Sequence, residues 1–146
     1  MGVDRKFIGK RYGPMTYEVC KEKIKEYARA IKNEDPHYVD DEFAARSKYG
    51  GIIAPPTFAV IYSGQLAMPF FMDPELNLDF AMLVHGEQEF QFHEIVRPGD
   101  VITTEGNISN IENKEKVDVV TLDAYSRNQE GRLVCKAIYT FVIRKR

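Results

Sequence analysis

The sequence predicts an α+β fold in which an antiparallel β-sheet wraps a long central apolar helix, and three observations carry that reading. The stretch TFAVIYSGQLAM, residues 57 to 68, is apolar nearly all round, so as a helix it lacks a wet face and belongs inside the fold. The second half of the chain turns to β-branched and aromatic residues in two-residue alternation, interrupted by turn-forming clusters. The first half is instead rich in lysine and glutamate set at helical spacing.

Taken in order, TYEVCKEKIKEYARAI predicts a surface helix from Thr16 to Ile31. Val19, Cys20, Ile24, Tyr27, Ala28 and Ile31 lie on one side, Thr16 is the N-cap and Glu18 falls in the first turn. DDEFAARSK, residues 40 to 48, predicts a short helix started by Asp40 or Asp41 and closed by Gly50 and Gly51. The apolar helix follows from about Thr57, and PFFMDPELNLDF, residues 69 to 80, reads as a loop that forms a pocket lid or a subunit contact. Four strands are then expected in GEQEFQFHEIV, VITTEGNIS, KVDVVTLDAYS and RLVCKAIYTFVI, joined as a meander by turns at RPGD (97 to 100), IENKE (111 to 115) and RNQEG (127 to 131). No internal repeat or low-complexity tract marks a second unit, so residues 1–146 are read as a single domain.

Composition narrows the function classes. Twenty basic and twenty-two acidic residues leave a net charge of -2 without a basic tail, so the electrostatic footprint of a nucleic-acid binder is missing. Cys20 and Cys135 are far apart and outside any CxxC, which suits a reduced compartment. The first residues carry no apolar leader and no stretch reaches the roughly 20 apolar residues of a membrane span, so a cytoplasmic location is expected. His85 and His93 lack zinc-type spacing, and no metal site is expected.

Two stretches bear on chemistry. NEDPHYVDD, residues 33 to 41, gathers Asp35, His37, Asp40 and Asp41 around Pro36. An imidazole with neighbouring carboxylates suits acid–base work, and the same residues suit a turn followed by a helix start. GGIIAPPTF, residues 50 to 58, leads into the apolar helix, whose first N–H groups are anion-binding in principle. Pro55 and Pro56, however, bring no N–H to that place and fix the helix entry instead.

Three segments, YARAIKNEDPHYVDD, GGIIAPPTF and FQFHEIVRPGD, give the chain a resemblance to the MaoC-like hot-dog dehydratases and hydratases, from about Lys6 to Val142. Within that family it looks closest to the N-terminal-type, HadA-like subunit of the (3R)-hydroxyacyl-ACP dehydratases. The resemblance implies a sheet around a hot-dog helix, pairing of two such folds, and reversible syn addition of water across the 2,3-bond of an acyl thioester. The substrate is carried on coenzyme A or acyl carrier protein, and no further cofactor is implied. In active members a loop Asp-x-Asn-Pro-x-His supplies the Asp and His, and a backbone N–H at the hot-dog helix polarises the thioester carbonyl.

Carried over by position from Pro36, the resemblance puts Asn33 where the family has its Asp, Asp35 at the motif Asn, and Tyr38 where the family has its His, with His37 one place early. Pro55 and Pro56 stand where a His-Gly pair is usual. Asn33, Asp35, His37 and Tyr38 are thus the candidate catalytic positions of an altered motif. Asp40, Pro55, Pro56, Thr57, Tyr62, Met68, Phe70, Phe71 and His85 are the candidate substrate-binding residues. The implied role is the acyl-binding half of an (R)-3-hydroxyacyl thioester dehydratase or enoyl-CoA hydratase, in a homodimer or in a heterodimer with a catalytic MaoC-type subunit. An active homodimeric hydratase with a rearranged site, and an acyl-thioester-binding module without chemistry, stay open beside it.

Overall fold

The structure, a computed structural model, describes residues 2–146. Its sheet has five antiparallel strands in the order β1-β3-β4-β5-β2. The strands are β1 (Arg11–Glu18), β2 (Leu83–Phe92), β3 (Val101–Asn113), β4 (Val117–Arg127) and β5 (Leu133–Arg144). Between β1 and β2 lie α1 (Lys21–Ala30), α2 (Pro36–Val39), α3 (Asp41–Arg46), α4 (Ala59–Ser63) and α5 (Ala67–Phe71).

Two expectations about local structure need correction. Thr16 does not cap a helix; it sits in β1 opposite Thr103 of β3, and the helix starts only at Lys21. The strand is hidden in the sequence because Gly13 and Pro14 interrupt its alternation, and the β1–β3 register shifts between Tyr12 and Met15. The four-strand meander is also revised. β3, β4 and β5 do form consecutive hairpins, but β2 crosses to the far edge and pairs with β5, so RPGD ends a crossover. In that turn Asp100 accepts from Arg97 N at 2.8 Å and from Gln129 Nε2 at 3.0 Å, which fixes the return into β3.

The apolar segment lies against the sheet as expected, though as a succession of 3₁₀ and α turns from Pro56 to Phe71 and not as one regular helix. Phe58, Tyr62, Leu66 and Phe70 recur every four residues and are all buried, which makes one stripe that faces the sheet. The opposite side is wet at Val60 and Met68, so the segment is not enclosed all round. Phe58 and Tyr62 join a core with Val19, Ile24, Ile102 and Val134, while Leu66 and Phe70 join one with Ile108, Leu122 and Phe141. Burying each of these large side chains contributes about 1.5–3 kcal/mol.

Close contact between segment and sheet depends on Gly106 of β3. A Cβ there would meet the Asp123 carbonyl oxygen at 1.9 Å and a Leu66 methyl at 2.8 Å, so only glycine fits. Polar groups in the same layer are paired: Ser63 Oγ donates to Ala59 O at 2.5 Å and lies 2.7 Å from Tyr139 Oη, and Thr104 Oγ1 lies 2.7 Å from Ser126 Oγ. At the segment's far end Tyr12 donates to Asp73 at 2.7 Å, and Lys10 pairs with Asp73 at 2.6 Å, which anchors the loop after α5 to β1.

Candidate functional site

A cavity of about 360 Å³ opens where the start of the apolar segment meets the end of β2. Tyr38, Tyr49, Ile53, Ala54, Pro55 and Pro56 form one side, Phe58 and Tyr62 the floor, and Phe92 to Val96 the other side. The walls are stitched by main-chain bonds. Ala54 N donates to Val96 O at 2.8 Å, Ile53 N to His37 O at 3.2 Å, and His93 N and Glu94 N both reach Val134 O, at 2.9 and 3.3 Å.

Tyr38 reaches the cavity through a chain of local signals. Helix α1 buries Ile24 and Ala28, then stops at Lys32, whose φ of 57° is left-handed; Asn33 N closes the end on Ala28 O at 2.9 Å. Asp35 then caps α2, with Oδ1 accepting from His37 N at 2.9 Å and Pro36 in the first turn. Asp40 caps α3 in turn by accepting from Phe43 N at 3.0 Å. These two carboxylates thus act as helix starters, and α2 carries Tyr38 into the cavity wall.

His37 faces away from that wall. Its Nδ1 lies 2.7 Å from Asp35 Oδ1, and its ring stands edge-on to Phe43 at 5.0 Å and to Tyr49 at 5.6 Å. The amide and imidazole of His37, in that order of effect, hold the Asp35 carboxyl below the usual carboxylate range. The Tyr38 phenol moves the other way: burial above all, then the Asp35 carboxylate, raises it, so at neutral pH it is a donor and not a base. Burial likewise raises Tyr62.

Of the candidate residues, Tyr38, Pro55, Pro56 and Tyr62 come together around the cavity. Asn33 is exposed at the end of α1, and Asp35, His37 and Asp40 belong to the cap-and-turn framework beside it. Thr57 is turned to α1, where Tyr27 donates to its carbonyl and hydroxyl oxygens at 3.0 Å each. Met68 is exposed to solvent. Phe70 is fully buried against Phe141 at 5.3 Å and Tyr12 at 5.9 Å, and the half-buried Phe71 packs on Phe141 at 5.0 Å, so neither lines the cavity. His85 lies on β2 and stacks on Tyr139 at 5.7 Å.

The candidate site residues left out His93 and Glu94, which line the cavity. They stand on the far side from Tyr38, held there by their backbone N–H bonds to Val134 O. Their signal was FQFHEIVRPGD, where the alternation stops at Phe92 and the chain leaves the sheet. Tyr49 was missed as well; its carbonyl oxygen accepts from Arg97 Nη1, and its ring packs edge-on to His37 at 5.6 Å. Among the described residues no cluster of His, Cys, Asp and Glu is suited to a metal, and no helix is long and apolar enough to cross a membrane.

A sheet curved around an apolar helical segment, with a cavity where the segment begins, defines the hot-dog fold of dehydratases and hydratases. The family described as FAS1-like, dehydratase domain region, matches residues 6–137. A UPF0336 protein of Saccharopolyspora erythraea is 41% identical over 145 residues, covering 99% of this chain and 93% of that one. One from Streptomyces avermitilis is 37% identical, covering 99% and 97%. Among solved structures, a chain of the HadBC (3R-hydroxyacyl-ACP dehydratase) complex from Mycobacterium tuberculosis superposes with a TM-score of 0.82 at 28% identity, covering 97% of this chain and 99% of that one. The monoamine oxidase regulatory protein of Archaeoglobus superposes with a TM-score of 0.78 at 25% identity, covering 95% and 91%. The chain belongs to the FAS1-like dehydratase-region family, within the MaoC-like hot-dog dehydratases and hydratases.

Proposed function

We propose that this chain is the acyl-binding subunit of a two-component (R)-3-hydroxyacyl thioester dehydratase or enoyl-CoA hydratase, with the acid–base pair supplied by a second MaoC-type subunit. The observation that carries this reading is the exchange at the α2 loop. Tyr38, a protonated phenol, faces the cavity where the family's imidazole would stand, while His37 is turned onto Asp35. Water addition needs a group that takes a proton from water and a donor at the thioester carbonyl as negative charge develops there. Pro55 and Pro56 have no N–H to give that carbonyl. Besides His93 and Glu94 on its far side, the cavity offers shape, an apolar floor of Phe58 and Tyr62, and the Tyr38 hydroxyl, which suits holding an acyl chain.

The HadBC structure is named as a complex, and the present chain is read as one partner of a comparable pair. The test is hydration of a crotonyl thioester, on coenzyme A and on acyl carrier protein, by this chain alone and mixed with candidate MaoC-type subunits. Turnover only in the mixture is the expected result. Strong turnover by the chain alone would assign the chemistry to a homodimer, and saturable acyl-thioester binding without turnover in any mixture would leave a binding module.

A further inference from the structure

We propose that the Tyr62 ring is the stop at the end of the acyl pocket, so that this chain takes short acyl thioesters and gains nothing from longer ones. The proposal rests on the acyl-binding reading for what enters the cavity. Where the cavity ends is a matter of packing.

The cavity has a wet end and a dry end. Phe92, His93, Glu94 and Ile95 are exposed, and Tyr38 and Tyr49 are half-buried, so this rim is the entrance. Phe58 and Tyr62 form the other end and are 0% and 3% exposed. An acyl tail that enters from the rim therefore runs into these two rings.

Neither ring has room to step aside. Phe58 is held edge-on by Tyr27 at 5.6 Å and by Tyr17 at 6.3 Å, and Tyr62 packs against it at 6.3 Å. The backbone that carries Tyr62 is tied to the sheet: its carbonyl oxygen accepts from Thr104 Oγ1 at 3.3 Å, and the next residue, Ser63, meets Tyr139 Oη at 2.7 Å. The space beyond is filled. Ile102, Val134 and Cys135 in the same core, and Leu66 and Phe70 further along the stripe, are each at most 1% exposed. A close-packed interior of this kind leaves no void for added methylenes.

The dimensions give the limit. The cavity of about 360 Å³ stands near the lower end of ligand pockets, which hold roughly 300–1,000 Å³. From Pro56 to Tyr62 the helical turns rise by about 10 Å, and the thioester itself takes part of that length, which leaves room for an acyl chain of about four to six carbons. A longer tail has to bend back to the rim, where its methylenes stay in water. Burying one methylene is worth about fourfold in affinity, so a tail that cannot be buried adds none of it. The stop is the ring and not the hydroxyl, since phenylalanine would fill the same space.

The experiment is calorimetric titration of the full chain with butanoyl, hexanoyl, octanoyl and decanoyl thioesters, on coenzyme A and on acyl carrier protein. Wild type is compared with Tyr62→Phe, Tyr62→Leu and Tyr62→Ala. Wild-type affinity should rise as far as hexanoyl and then level off or fall, and Tyr62→Phe should keep that limit. Tyr62→Ala should remove it, with about fourfold tighter binding for each methylene up to decanoyl. Circular dichroism checks folding; if the alanine variant does not fold, Tyr62→Leu, which keeps more of the core filled, should move the limit to octanoyl. Wild-type affinity that climbs steadily to decanoyl, or an unmoved limit in a folded leucine or alanine variant, overturns the proposal and leaves the acyl-binding reading standing. Failure of every thioester to bind would overturn that reading, and the stop with it.

Discussion

His37 and Asp35 are bonded to each other twice, through the His37 amide at 2.9 Å and through Nδ1 at 2.7 Å, and the pair stands outside the cavity that Tyr38 lines. A histidine held by a carboxylate resembles an acid–base dyad on paper. In the fold it is the first turn of α2.

Asp35→Ala removes the cap, and the expected outcome is a loss of about 0.5–2 kcal/mol in chemical denaturation. His37→Ala should leave turnover of the two-subunit mixture within about twofold of wild type, since the ring does not line the cavity and meets it only through the edge of Tyr49. A collapse of the rate with unchanged folding would return His37 to the reacting centre.

Tyr38→Phe keeps the ring and deletes the hydroxyl. One neutral hydrogen bond is worth about 0.5–1.5 kcal/mol, so kcat/KM of the mixture should fall about 2- to 12-fold with little change in melting temperature. An unchanged kcat/KM would show that the phenol contacts nothing in the bound thioester.

Asp73 gives the molecule an acid-sensitive anchor. Burial pushes its carboxyl up, but hydrogen bonds from Lys10 and Tyr12, and from Glu75 N, outweigh that and leave it below the ordinary value. Its contribution to stability is therefore present above the unfolded pKa of about 3.9 and is lost as pH falls through the lower folded value. Asp73→Asn should flatten the dependence of melting temperature on pH in that acid window, which a thermal melt series checks. A slope equal to wild type would mean that the carboxylate is not held.

Phe70→Ala tests core against tunnel. Full burial between Phe141 and Tyr12 predicts a loss of about 3–5 kcal/mol of stability by denaturant titration. A variant of nearly wild-type stability with altered acyl-chain preference would put the ring in the substrate path.

Much of the architecture was legible because its signals are local. The two-period alternation of β3, β4 and β5 and the four-residue spacing of Phe58, Tyr62, Leu66 and Phe70 need no partner to be read. β1 was not legible, because Gly13 and Pro14 break its pattern and the backbone becomes a strand only against β3. The edge position of β2 was equally hidden, since strand order is a long-range choice that the RPGD turn does not encode. At the site, Tyr38 emerged from counting along the motif. His93 and Glu94 lie about 55 residues further on and meet it only when Ala54 and Val96 join. The long apolar segment suggested a tunnel at Phe70 because sequence hydrophobicity does not distinguish a filled core from an open channel.

The cavity also has an optical consequence. The chain has eight tyrosines and no tryptophan, so no indole drains or masks phenol emission. Three of those tyrosines, Tyr38, Tyr49 and Tyr62, line the cavity. Tyrosine fluorescence of the unlabelled protein is thus a built-in gauge of occupancy, and its Tyr38 component can be subtracted with a single phenylalanine variant.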